Sequence, residues 1–417
     1  MLIHSASQLI CLRGGAQRGS QLGNLDILED SAVLFREGVI QAVGSSCDLL
    51  QKYPHEEKID AGQCVVMPGF VDPHTHLIWA GDRANEFSMR LEGKSYMEIM
   101  AAGGGINATV QATRSASDQE LSAAALKRSW SALKHGTTTL EAKSGYALSV
   151  DGELRLLKVL MQLRDAIPMD IIPTFLGAHA VPAEFKDHPD DYVDLIVQQA
   201  LPQLKVWWQK SYPAENLPFV DVFCEPNVFD LEQSGLILST ARELGFPLKI
   251  HADEFENIGG AALAAGLSAA SADHLVKTGE QEIAALAASN TVAVALPCTP
   301  FGLAEQAYTP AQHIIAQDGF LALASDLNPG TAWCGNMQFV IALACRFMKM
   351  TPAQAIAAAT INAAAAIQMD DRIGSLDIGK QADILIVDIP QYQHLGYRFG
   401  ENLVHTVIKK GKVIKFL

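Results

Sequence analysis

The chain has no uninterrupted apolar run approaching the ~20 residues that span a bilayer, so no membrane-spanning helix is expected. Its start, Met1-Leu2-Ile3-His4-Ser5, has no basic region ahead of an apolar stretch and does not read as a secretory signal. Blocks of lysine and arginine are absent, and the formal net charge is −15. That balance argues against a partner made of nucleic acid and against a basic face for a membrane surface. The seven cysteines, Cys11, Cys47, Cys64, Cys224, Cys298, Cys334 and Cys345, are odd in number, scattered, and form no CxxC. A disulfide framework or structural zinc knuckle is therefore not expected, and a reducing cytoplasm fits. No GxGxxG follows the first apolar strand, which removes the dinucleotide fingerprint of an open doubly wound sheet. Gly103-Gly104-Gly105 lacks the Lys-Ser/Thr of a phosphate loop and reads as a mobile loop. What remains is a globular chain of 417 residues, 49% hydrophobic, long enough for a large core and more than one domain.

The organising stretch is Val66-Met67-Pro68-Gly69-Phe70-Val71-Asp72-Pro73-His74-Thr75-His76. Before it, Gln8–Leu12, Ala32–Phe35 and Val39–Val43 read as short strands, with a turn at Glu37-Gly38 and no helical pattern of convincing length. From residue 66 the rhythm becomes strand, loop, helix. The β-rich segments are Cys64–Val71, Thr137–Glu141, Asp170–Leu176, Phe219–Cys224, Pro247–His251, Ala270–His274, Thr291–Leu296 and Phe320–Ser325. Between them Ser117-Asp118-Gln119-Glu120 is a capping box that opens a helix stopping at Gly136. Helices are also expected over Asp151–Ala166, Asp191–Gln209, Glu232–Leu244 and Gly279–Ser289. Eight strands alternating with helices imply parallel pairing and a closed (β/α)8 TIM-type barrel. Gly374–Asp388 and Val404–Phe416 are again β-type. The two ends resemble each other and differ from the middle. The expected architecture is thus α/β: a barrel over 66–365, with a small β-sandwich domain built from 1–65 and 366–417.

In such barrels active-site residues stand at the C-terminal ends of the strands. His74 and His76 are one residue apart, so they project from one face of the first strand. Further polar residues end later strands: Glu141–Tyr146, His179, Glu225, His251–Glu254, Asp273-His274, Cys298, and Ser325–Thr331. Five of the twelve histidines fall at these ends, together with Asp326. Three neutral imidazoles and a carboxylate make a suitable shell for Zn²⁺ or a similar ion, with room for water. A coordinated water loses a proton near neutral pH.

The PGFVDPHTH stretch, the later HADE and SD, and the flanking β segments resemble the amidohydrolase superfamily over nearly the whole chain. The resemblance implies one divalent or trivalent ion per subunit, zinc or iron, held by His74, His76, His251 and Asp326. Some members carry two metals bridged by a carboxylated lysine on the fourth strand; no lysine stands at Val220–Cys224, so one ion is expected. Asp326 would also accept a proton from the attacking water. Within the superfamily, Gly81–Phe87, Ala102–Ile106, Lys143–Tyr146, Gly177–His179 and Ser325–Gly330 resemble members that hydrolyse 4-imidazolone-5-propanoate to N-formimidoyl-L-glutamate.

That substrate is a cyclic amide with a carboxylate tail. Arg83 offers a planar fork for the tail. Tyr146 offers a hydroxyl and an aromatic face. Asn328, Gly330 and Thr331 are expected to bind the carboxylate through backbone amides and a hydroxyl. His179 is a candidate to polarise the substrate, Glu254 to bind it and carry a proton to the leaving nitrogen, and His274 to stabilise the oxyanion. Trp207-Trp208 lies in an amphipathic helix, where packing or subunit contact is expected, and a homodimer with it. Cys298 and Cys334 offer no case for a nucleophile. The alternative within the superfamily is a one-metal aminohydrolase of a purine- or pyrimidine-like ring, which would release ammonia.

Overall fold

The computed structural model describes residues 1–94, 98 and 104–416. Ala102 and Gly103 of the glycine-rich motif lie outside the described residues. The N-terminal region gives β1 (Leu2–Ile10), β2 (Ile27–Arg36), β3 (Val39–Ser45), β4 (Lys58–Asp60) and β5 (Val65–Pro68), and the barrel opens with β6 (Phe70–Asp72). Then come β7 (Thr137–Lys143), β8 (Asp170–Ala178), β9 (Phe219–Cys224), β10 (Lys249–Ala252), β11 (Ser271–His274), β12 (Val292–Ala295) and β13 (Leu321–Leu323). The C-terminal part adds β14 (Ile384–Val387), β15 (Val404–Lys409) and β16 (Lys412–Val413).

Strands β6 to β13 form a parallel eight-stranded sheet in chain order. Helices follow most of the strands, which is why β7, β10, β11 and β12 are buried along their whole length. The ring closes beyond the strands. The Asp326 N–H donates to the His74 carbonyl at 3.1 Å, and the His76 N–H to the Leu327 carbonyl at 2.9 Å. Asp72 ties the same ends together, accepting the Ser325 N–H at 3.0 Å and its hydroxyl at 2.5 Å. Burial pushes the Asp72 carboxyl up to about 7, against these donors.

The expected single strand over Cys64–Val71 is two. Pro68-Gly69 breaks it, and a Cβ on Gly69 would collide with the Thr138 side chain, so only glycine lets β6 approach β7 there. Strand β5 belongs instead to the terminal sheet, whose order is β16-β15-β14-β5-β1-β2-β3, with β4 on β1. It runs parallel to β1 and antiparallel to β14, so it is the seam joining the two chain ends. The sandwich expected from the sequence is thus one mixed sheet. Side-chain alternation gives it two buried faces. Val66, Ile384, Ile386 and Ile408 enter one core, while Val65, Met67, Leu385 and Val407 join the barrel core.

The capping box at Ser117 and Glu120 forms and opens the helix Asp118–Lys134. The helix expected over Asp191–Gln209 is divided: Pro189–Leu195, a wide turn at Ile196–Ala200, then Leu201–Ser211. Pro202 has no N–H to continue the ladder into the preceding turn, which accounts for the break. A short helix, Ser46–Lys52, escapes the sequence reading because seven residues show no periodicity. Its signal was local: the Ser45 hydroxyl accepts the Asp48 N–H. In 374–388 only Ile384–Val387 is a strand.

An ion cluster fastens barrel to terminal sheet. The Lys409 ammonium lies 2.8 Å from Asp170 and 2.6 Å from Asp383, and that of Lys410 lies 2.6 Å from Asp170. Burial opposes ionisation of Asp170, but the two lysines outweigh it and hold its carboxyl well below the usual range. A depressed folded-state pKa gives stability that is complete above the unfolded value and is lost as pH falls through the folded one. Asp170→Asn is therefore expected to cost about 3 kcal/mol at neutral pH. The gap from wild type should narrow in strongly acid solution. Urea midpoints at both pH values check this, and a pH-independent gap would rule out the electrostatic account.

Candidate active site

Four side chains from three places in the chain converge at the C-terminal mouth of the barrel. His74 and His76 follow β6, His251 lies in β10, and Asp326 follows β13. Asp326 Oδ1 stands 3.5 Å from His74 Nε2 and 3.4 Å from His76 Nε2. His251 Nε2 is 3.4 Å from His76 Nε2. His274, the last residue of β11, adds a nitrogen to the His74–His251 group. Asp326 and His274 have φ of +55° and +78°, in the left-handed region that costs a non-glycine residue energy, as strained positions at functional sites do. Among the described residues, His74 Nε2 and Asp326 Oδ1 are buried and have no hydrogen-bond partner. Such atoms are costly unless something binds them. Burial, with neighbouring positive groups, drives His74 and His76 well below the ordinary histidine value, so both are neutral with lone pairs available. This donor set fits a metal ion: imidazole nitrogens and a carboxylate oxygen, preformed and buried.

The support behind these four side chains was not legible beforehand. His74 Nδ1 lies 2.6 Å from Asp273 Oδ2, and His251 Nδ1 lies 3.1 Å from Asp221 Oδ1. Each contact leaves Nε2 facing the centre, the arrangement by which outer carboxylates orient metal-binding histidines. The Thr299 hydroxyl donates to Asp326 Oδ2. Lys143 and Lys249 are wholly buried among the same acids. One signal existed: Asp221, Lys249 and Asp273 are charged residues inside otherwise apolar strands, where a charge must be paired.

Around the centre lie the other expected residues. The His179 Nδ1 is 2.9 Å from the Gly145 carbonyl, which only accepts, so Nδ1 carries the proton. Burial keeps His179 neutral, well below the ordinary value. Its Nε2 is consequently an acceptor. Its ring stacks on His76 at 4.8 Å. Tyr146 packs beside it, ring centroids 5.1 Å apart, and burial pushes the phenol up, so it stays a neutral hydroxyl.

Arg83 is half committed. Its Nε and a second nitrogen pair with Glu86 at 2.8 and 2.7 Å, and the other Glu86 oxygen accepts the Gly105 N–H. The third nitrogen lies against Gly330, where a Cβ would collide with it. Asn328 Oδ1 accepts the N–H groups of Gly330 and Thr331, both at 2.8 Å, and the Asn328 amide donates to the Thr331 hydroxyl. The two backbone amides expected at the substrate carboxylate thus bond to Asn328 within the loop. Asn328 shapes the loop, and Arg83 is the cation at its edge.

Glu254 Oε2 lies 3.5 Å from His274 Nε2. Burial pushes Glu254 well up, aided by Asp326, Glu225 and Glu305, while burial lowers His274 to about 3. Both are thus neutral: an acid beside an imidazole. Glu225, given no role from the sequence, holds this loop. Its carboxylate accepts the N–H groups of Glu254, Phe255 and Glu256 at 2.6, 3.1 and 3.2 Å. Trp207 and Trp208 pack on each other and on Tyr212.

Comparison with known proteins gives the same picture. The amidohydrolase family model matches residues 65–414. An imidazolonepropionase from Herpetosiphon aurantiacus is 47% identical, covering 99% of this chain and 97% of that protein. One from Parabacteroides distasonis is 45% identical over 99% and 98%. Among solved structures, a zinc-bound adenosine deaminase from Xanthomonas campestris superposes with a TM-score of 0.72 at 20% identity, covering 99% of this chain and 92% of that one. That likeness is one of fold.

Proposed function

This chain belongs to the amidohydrolase family, and we propose that it hydrolyses the ring C–N bond of 4-imidazolone-5-propanoate to N-formimidoyl-L-glutamate, a step of histidine breakdown. The observation that carries this is a preformed ligand cradle with Arg83 beside it: a site for activating water next to a cation for the substrate tail. His74, His76, His251 and Asp326 would hold a single zinc or iron ion. When bound, such an ion supplies Lewis acidity and lowers the pKa of water.

The chain's own residues supply the rest. Arg83 draws the propanoate carboxylate to the Asn328–Thr331 loop, which fixes the ring's distance from Asp326. His179 Nε2 accepts a ring N–H, and the neutral Tyr146 hydroxyl donates to the substrate. Asp326 takes a proton from the attacking water as its oxygen bonds the ring carbonyl carbon. Glu254, held protonated by burial, gives a proton to the ring nitrogen as the C–N bond breaks. His274, neutral beside it, donates to the developing oxyanion. Glu254→Gln keeps the shape and removes the acid, so kcat is expected to fall ~10²-fold or more with KM little changed. A kcat within about threefold of wild type would take the donor role from Glu254.

The deciding assay generates imidazolonepropionate in the cuvette from urocanate with urocanase, adds the metal-loaded protein, and follows the loss of imidazolone absorbance. Fast loss, with N-formimidoyl-L-glutamate by mass spectrometry and no ammonia, is expected. No acceleration would overturn the substrate, and ammonia release from a cyclic amidine would favour the aminohydrolase alternative. Metal analysis of the protein as purified tests zinc against iron, and sedimentation tests the homodimer.

A further inference from the structure

Lys143 ends β7 and is wholly buried. Its ammonium lies 2.8 Å from Glu141, 2.8 Å from Asp221 and 3.9 Å from Asp273. Lys249 reaches the same Asp273 oxygen at 3.4 Å. Burial alone would discharge a lysine. Here three carboxylates outweigh burial, so Lys143 remains an ammonium. Two of those acids are the partners of the Nδ1 atoms of His251 and His74. One cation thus joins two histidine supports that arrive on β9 and β11, strands that are not neighbours in the barrel.

We propose that Lys143 is a positioning residue of the metal centre: its ammonium anchors Asp221 and Asp273 together, which fixes the oxygens against which the Nδ1 atoms of His251 and His74 rest and so keeps both Nε2 atoms turned inward. This rests on His74 and His251 being ligands.

The argument is one of position. His251 and His74 each rest Nδ1 against a carboxylate oxygen, at 3.1 and 2.6 Å, and that contact fixes how the ring is turned. Without Lys143, Asp221 loses its cation and Asp273 is left with Lys249 alone, so the two buried carboxylates lose their shared anchor and shift. Lys143 also repels any cation in the same barrel. A purely electrostatic role would therefore make Lys143→Met bind the ion more tightly, whereas a positioning role makes it bind more weakly. The sign of the change decides between them.

The test is zinc affinity at neutral pH, by competition with a chromophoric chelator, for wild type, Lys143→Met, Asp221→Asn and His74→Ala. Circular dichroism and melting of the metal-free forms monitor the fold. Lys143→Met is expected to bind zinc ~10–100-fold more weakly. Asp221→Asn has one acceptor oxygen where Lys143 and His251 each take one, so it should weaken zinc binding in the same direction. Equal or tighter binding by folded Lys143→Met overturns the proposal. So does unchanged affinity in Asp221→Asn, which keeps the question decidable if Lys143→Met does not fold. If His74→Ala binds zinc as well as wild type, the ligand assignment itself fails. If His74→Ala is weakened while the other two are not, only the role of Lys143 falls.

Discussion

His74→Ala is expected to lose at least ~10³-fold in kcat/KM, because the reaction falls back on water of pKa 15.7 in place of one near 7. The substitution removes the Nε2 that stands 3.5 Å from Asp326 Oδ1. It also strands Asp273, whose Oδ2 is 2.6 Å from the His74 Nδ1 in the intact protein. Chelator treatment of wild type should lower activity to a similar level. The two losses differ in reversibility: added metal restores the stripped wild type and leaves His74→Ala inactive. Rates measured beside metal content per chain make the comparison. A variant that keeps both its metal and its rate would remove His74 from the ligand set.

Arg83→Met is expected to lower kcat/KM by roughly 10²-fold, the cost of taking one partner from a buried charge pair. Most of the change should appear in KM, since the carboxylate tail lies away from the reacting bond. Arg83→Lys should recover little. Two of the guanidinium nitrogens are held by Glu86 while the third faces the Gly330 loop, and an ammonium cannot serve both at once. A substrate analogue without the carboxylate supplies the control. Wild type and Arg83→Met should turn it over at equal, low efficiency. If the variant loses equally on both substrates, Arg83 does not read the tail.

Much of the fold was legible because it repeats. Eight apolar strands alternating with capped helices can pair only in parallel, and the histidines at strand ends follow from where barrels keep their loops. The candidate ligands follow from a resemblance, and their convergence could be anticipated without any distance. The supporting acids could not. Asp221 and Asp273 look like polar interruptions until β9 and β11 are set into one ring, and Lys143 reads as part of a loop motif until its ammonium is seen between them. The part Asn328 plays within its own loop was hidden for a similar reason. Its side chain satisfies its own loop before any substrate arrives, a local hydrogen-bond choice that residue types do not reveal.

By itself the sequence determined the alternation of strands and helices, the capping box at Ser117, the β character of both chain ends, and the presence of metal-binding residue types at strand ends. These are short-range properties, set by side-chain period and by the hydrogen-bonding habits of neighbouring residues. Only the tertiary structure decided which atoms meet. Closure of the barrel between His74 and Asp326, the left-handed turns at Asp326 and His274, and the sharing of one buried ammonium by two acids join residues far apart in the chain. Such contacts depend on burial and on charge compensation across the whole barrel, and no local pattern encodes them.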